Sequence, residues 1–91
     1  MAFSAYILRC ADGSYYVGHT DDLEKRMSDH TAGAVSVYTR KRRPIELVFS
    51  EQFTTRAEAL AAEHQIKGWS RAKKEALIKG NWARLQRLAR M

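Results

Sequence analysis

Two short runs near the start of the chain, "AYILRC" and "YYVGH", concentrate aromatic and β-branched residues, and "ADG" lies between them. This is the pattern of two strands joined by a tight turn. A three-residue loop of Ala11, Asp12 and a left-handed Gly13 pairs Leu8 with Tyr16 and Tyr6 with Gly18, whereas a two-residue Asp12–Gly13 turn shifts the register by one. Only the first puts Tyr6 and Tyr16 on one face. A helix over 22–32 follows, with Asp21 as its cap, Glu24 as the capping-box partner and Gly33 closing it in a left-handed conformation. Leu23, Met27 and His30 recur at i, i+4 and i+7, so Arg26 and His30 share the stripe that faces the sheet.

"PIELVFSEQF" alternates Ile45, Leu47 and Phe49 with more polar neighbours and reads as a third strand, Pro44 standing at its start where a missing N–H is tolerated. Thr55 and Glu58 form a capping pair for a helix running to about Gly68. Its apolar face carries Ala59, Leu60 and Ile66, and the helical period lays Glu63 and Lys67 along that face. Ser70 caps a short helix ending near Gly80. Asn81 caps a last one with Trp82, Leu85 and Leu88 as a narrow stripe and Arg84, Arg87 and Arg90 on a basic face. The expected fold is α+β: a single domain over 1–91 with a small three-stranded antiparallel sheet flanked by helices, and extra C-terminal helices.

A chain of 91 residues has few core positions, since folding at this size buries only about 60–65% of the unfolded surface. The one cysteine, Cys10, excludes an internal disulfide, and with His19, His30 and His64 it shows no zinc-ligand spacing. The opening segment is interrupted by Arg9 and is too short to span a bilayer. The expectation is a soluble cytoplasmic protein without a membrane partner. The net charge of +6 gathers at "TRKRRP" and "ARLQRLARM" and points to a polyanionic partner such as nucleic acid. A merely solvated basic face is the plain alternative.

Tyr6, Tyr16, Arg26, His30 and Glu63 all fall on sheet faces or helix stripes that point inward. Buried carboxylates and guanidinium groups persist only when paired, metal-bound or catalytic. Each has an ordinary reading by itself. The tyrosines fit half-buried strand positions, Arg26 an ordinary salt-bridging helix residue and His30 a satisfied histidine at a helix end. Glu63 and Lys67 fit an exposed i,i+4 pair contributing about 0.2–0.5 kcal/mol.

The order and spacing of the set resemble the GIY-YIG nuclease domain, over almost the whole chain. The first motif stands as Ser4-Ala5-Tyr6, the second as Tyr16-Val17-Gly18, followed by Arg26 and His30 in "LEKRMSDH" and Glu63 in "AEHQIK". The chain is most similar to small stand-alone members related to the excinuclease C catalytic domain, a likeness that extends to "YTRKRRPIELVFSEQF" and "IKGWSRAKKEALI". Ser4 replaces the first motif's glycine, and the late asparagine of many relatives is not assigned to Asn81.

The resemblance implies metal-dependent hydrolysis of phosphodiester bonds, with a single Mg²⁺ or Mn²⁺ held by Glu63. Arg26 would bind the non-bridging oxygens and Tyr16 would activate water, oriented by Tyr6 and His30; His30 has the ordinary pKa better suited to a base. Arg40, Lys41, Arg42, Arg43 and Lys67 are the expected nucleic-acid contacts. DNA, single-stranded or branched, is favoured over RNA, with a role in repair or processing and no small-molecule cofactor. The rival reading is a non-catalytic nucleic-acid-binding module using the basic run and exposed tyrosines; a further one is a protein-interaction domain docking through the Trp82 helix.

Overall fold

The hairpin closes in the register that a three-residue loop dictates. In the computed structural model, which describes residues 2–89, strands β1 (Phe3–Arg9) and β2 (Tyr15–Thr20) pair antiparallel with Tyr6 opposite Gly18 and Leu8 opposite Tyr16. Gly13 takes a φ of 85°, and Cys10 and Ser14 close the loop with a 2.8 Å backbone hydrogen bond. Residues directly opposite one another share a face. One face therefore carries Ser4, Tyr6, Leu8, Tyr16, Gly18 and Thr20, and the other Ala5, Ile7, Val17 and His19.

Strand β3 (Glu46–Phe53) adds to the far side of β1, giving the order β2-β1-β3 with β2 at an edge. The alternation expected of β3 breaks. Ile7 pairs with Phe49 but Leu8 with Leu47, so Val48 is an extra residue. A β-bulge of this kind bends the strand and resets which side chains face inward. Val48 and Phe49 both pack on the core, while Leu47 is exposed.

Among the described residues five helices surround the sheet: α1 (Leu23–Thr31), α2 (Val37–Arg40), α3 (Arg56–Lys67), α4 (Arg71–Ile78) and α5 (Trp82–Ala89). The cap of α1 is Asp22, whose carboxylate accepts from the Lys25 N–H, and not Asp21, which pairs with Arg56 at 3.1 Å. Gly33 closes α1 with a φ of 79°. The short α2 is set by Ser36, whose side chain accepts from the Tyr38 N–H. Thr55 and Glu58 form a full capping box on α3, and Ser70 and Asn81 cap the two helices that follow. Arg90 lies outside the described residues.

Ile66 and Leu77 bring α3 and α4 onto the Ile7–Val17 face, with Trp69, Ile78 and Leu85 packed around them. The stripe expected on α5 divides: Leu85 joins the core, but Trp82 is 60% exposed. The opposite face is covered differently, by a histidine and a threonine. Tyr6, His30 and Thr39 are all fully buried there.

Gly18 is what lets Tyr6 lie flat on that face. A Cβ at residue 18 would stand 2.5 Å from the Tyr6 hydroxyl oxygen and 2.7 Å from the ring carbon bearing it. Gly18→Ala should therefore force the fully buried Tyr6 ring aside and destabilise the fold by about 1–3 kcal/mol, as overpacking in a close-packed core does. Urea denaturation of the variant checks this, and unchanged stability would show that the ring is free to move.

Candidate active site

The buried polar groups form a directed chain. The Thr39 hydroxyl donates to the Ser36 carbonyl at 3.3 Å, so its oxygen accepts from His30 Nδ1 at 3.0 Å. That places the imidazole proton on Nδ1 and leaves Nε2 as an acceptor, and the Tyr6 hydroxyl donates to it at 2.9 Å. Strand β1 supplies Tyr6, the last turn of α1 supplies His30, and α2 supplies Thr39. Among the described residues no buried side-chain nitrogen or oxygen lacks a hydrogen-bond partner, as burial demands.

Tyr16 stands beside this chain, its ring edge-on to His30 at 5.1 Å and tilted against Tyr6 at 6.5 Å. On its other side Tyr38 follows at 6.3 Å, and the Arg42 guanidinium lies 3.8 Å over the Tyr38 ring. An aromatic row thus runs from the buried Tyr6 to the surface.

Two charges act on the tyrosines. Burial is the main cause that pushes both phenols above their ordinary pKa. The Glu63 carboxylate pushes them the same way, and the Arg26 guanidinium pulls them back. His30 is shifted downward, first by burial and then by the Arg26 charge, so it is neutral at physiological pH. Arg26, Glu63, both tyrosines and His30 therefore share one electrostatic neighbourhood.

Glu63 reaches it by an unexpected route. Helix α3 packs on the Ile7–Val17 face, so its carboxylate acts on the tyrosines across the edge strand β2 rather than from a helix on their own face. There it accepts a hydrogen bond from His19 Nδ1 at 3.1 Å, while His64 stands 3.7 Å from its other oxygen. His19 and His64, not Lys67, are the side chains beside it; Lys67 is exposed at the end of α3. Glu63 is only 12% exposed. A mostly buried carboxylate of this kind fits a hard divalent cation whose remaining positions go to water and phosphate oxygen. No cluster of three metal-ligating side chains occurs among the described residues.

The basic run divides into two pairs. Arg42 donates to Asp12 at 3.0 Å and to the Tyr38 carbonyl at 3.1 Å. Arg43 donates to the Arg40 and Thr31 carbonyls, both at 3.1 Å. These two arginines hold the α2 segment against its neighbours. Arg40 and Lys41 are exposed.

Sequence reasoning passed over Thr39, His19 and Tyr38. Thr39 opens the charged run and α2 is too short to show a period. His19 follows Gly18 and so points to the other face. The signal for Thr39 was Ser36 three residues earlier, a helix-capping pattern that lifts Thr39 out of the basic run.

The His30 shift has a measurable sign. Its folded-state pKa is depressed, so the native state binds fewer protons than the unfolded chain. The stability this contributes is present above the unfolded pKa, about 6.5, and is lost as pH falls below it. Urea unfolding should show the wild type losing more stability between neutral and mildly acid pH than His30→Gln does. Parallel pH curves for the two would contradict a neutral buried His30.

Known proteins resemble the chain over most of its length. A profile of the GIY-YIG catalytic domain matches residues 2–76. A UPF0213 protein of Bacillus pumilus is 49% identical over 73 residues, 80% of this chain and 74% of its own. A UPF0213 protein of Natronomonas pharaonis is 48% identical over 73 residues, covering 80% and 86%. The solution NMR structure of a UPF0213 protein from Bacillus halodurans, 42% identical, superposes with a TM-score of 0.57 over 87% of this chain and 84% of that one. That of a protein from E. faecalis, 39% identical, gives 0.62 over 91% and 88%.

Proposed function

Since the chain belongs to the GIY-YIG catalytic domain family, a nuclease-type family, we propose that it hydrolyses phosphodiester bonds in nucleic acid at the group formed by Tyr6, Tyr16, Arg26 and Glu63. The observation that carries this reading is the buried Tyr6–His30–Thr39 chain with Tyr16 packed edge-on beside it, on a sheet whose edge strand also reaches the Glu63 carboxylate through His19. A small domain that buries such a set without a use for it would lose stability for nothing.

Arg26 presents a planar fork suited to the two non-bridging oxygens of a phosphodiester, where charge grows in the transition state. Tyr6 cannot serve as the base, because its proton is committed to His30 and its phenol is held far above the ordinary pKa. His30, neutral and bonded at both nitrogens, fixes Tyr6 rather than taking a proton from water. Tyr16 is the partly exposed phenol and orients and activates the attacking water. Glu63 would hold one Mg²⁺ or Mn²⁺. Such an ion supplies positive charge for the leaving oxygen and offsets the carboxylate charge that otherwise disfavours the Tyr16 phenolate.

The substrate we propose is DNA in single-stranded or branched form, consistent with a role in repair or processing. One small domain with one such group among its described residues favours a single strand or a branched junction over a symmetric duplex. No described helix is long and apolar enough to cross a membrane. Arg40, Lys41 and Lys67 are exposed basic residues that would contact phosphate, while Arg42 and Arg43 serve the fold.

Cleavage of oligonucleotides in Mg²⁺ or Mn²⁺ tests the reaction. Glu63→Gln should abolish turnover while leaving binding close to wild type, and Arg26→Lys should lower turnover more than binding. Full activity in Glu63→Gln would remove the site, and retention without cleavage by the wild type would favour a binding module.

Salt titrations of binding separate the arginines. Neutralising Arg40 and Lys41 together should reduce the slope by about 0.7–0.9 log units for each phosphate that is no longer neutralised. An unchanged slope would return both to a solvated face.

A further inference from the structure

The contact between His19 and Glu63 has the dimensions of a coordination site. His19 follows Gly18 on β2, so the strand's alternation turns it away from the tyrosines and toward α3, where its Nδ1 stands 3.1 Å from Glu63 Oε1. Two donors held at right angles about 2.1 Å from an octahedral cation are themselves about 3.0 Å apart. A cation can therefore enter beside the pair, off the line joining nitrogen and oxygen, once the imidazole turns so that its Nδ1 lone pair leaves the carboxylate and faces the cation, the two donor atoms keeping their separation. Both groups are sheltered but open, at 23% and 12% exposure.

We propose that His19 is a second protein ligand of the divalent cation, giving the site one imidazole nitrogen and one carboxylate oxygen. This rests on the reading of Glu63 as the cation's holder. On cation entry the imidazole proton, now on Nδ1 and donated to the carboxylate, moves to Nε2. The Nδ1 lone pair turns to the cation and no net proton is lost. Water and phosphate oxygens fill the other positions, as in an open catalytic site.

The donor set has a consequence for metal choice. Carboxylate and water suit Mg²⁺ and Mn²⁺ alike, whereas imidazole favours transition metals over Mg²⁺. With His19 in the coordination sphere, the site should prefer Mn²⁺. His64 does not substitute for it, because its Nε2 is 3.7 Å from the other carboxylate oxygen and its side chain is 68% exposed.

The test uses the full chain and Mn²⁺ alone, with Mg²⁺ as competitor, and reads binding by electron paramagnetic resonance and ligation by nitrogen modulation of the electron spin echo. The wild type should show modulation from a directly bound imidazole. His19→Ala, or the bulkier His19→Leu if alanine unfolds the domain, should keep Mn²⁺ but lose the modulation. Its preference for Mn²⁺ over Mg²⁺ should fall by about tenfold, the lower end of what a metal site loses when even a group that only hydrogen-bonds a ligand is removed. His64→Ala should retain the modulation. Mn²⁺ bound in a Glu63-dependent manner without nitrogen modulation, or with modulation that survives removal of His19, overturns the proposal while leaving Glu63 in place. Mn²⁺ binding that is indifferent to Glu63→Gln overturns the reading of Glu63 itself.

Discussion

The hydrogen bond from the Tyr6 hydroxyl to His30 Nε2 is the constraint on which the site depends. It lies at zero exposure between a central strand and the end of a helix, and His30 Nε2 is free to accept it because the Thr39 hydroxyl oxygen accepts the Nδ1–H on the far side of the imidazole. Leaving one such group unpartnered costs about 1–3 kcal/mol. The chain of bonds therefore holds α1 and α2 to β1 as firmly as an apolar contact would, and it also fixes the direction of every proton. Gly18 completes the constraint from below by leaving room for the Tyr6 ring.

From this arrangement the division of labour follows. The Ile7–Val17 face is an ordinary apolar core and anchors α3 and α4. The tyrosine face spends its burial on polar groups, and the edge strand between them brings Gly18 and His19 to opposite sides. Helix α3 can thus contribute to the core through Ile66 and to the site through Glu63, three residues earlier. The arginines serve both ends: Arg26 lends charge to the tyrosines, while Arg42 and Arg43 fasten the α2 segment that carries Thr39.

Much of this was legible in the sequence where the determinants are local. The "ADG" loop fixes the hairpin register, Gly33 ends α1, and Thr55 with Glu58 starts α3, each through a few neighbouring residues. What was not legible depends on pairing across the fold. The bulge at Val48 exists only in relation to β1, and it sends Leu47 outward against the strand's own alternation. Asp21 and Asp22 are equivalent as caps by composition; Arg56, far along the chain, claims Asp21. The candidate residues Tyr6, Tyr16, Arg26, His30 and Glu63 were identifiable by motif. That Glu63 acts across the edge strand, held by His19, is a matter of topology. The basic run hid its most buried member, Thr39, among charges.

The central claim is that the α3 carboxylate and the β2 phenol belong to one site although their elements lie on different faces of the sheet. The most direct measurement is the titration of the Tyr16 phenol, followed by carbon-13 NMR of labelled tyrosine, in the wild type and in Glu63→Gln. Removing the carboxylate charge should bring the Tyr16 pKa down from its raised position toward the ordinary phenol value, with burial holding it part of the way up. A Tyr16 titration indifferent to Glu63 would mean that the two groups do not share a site.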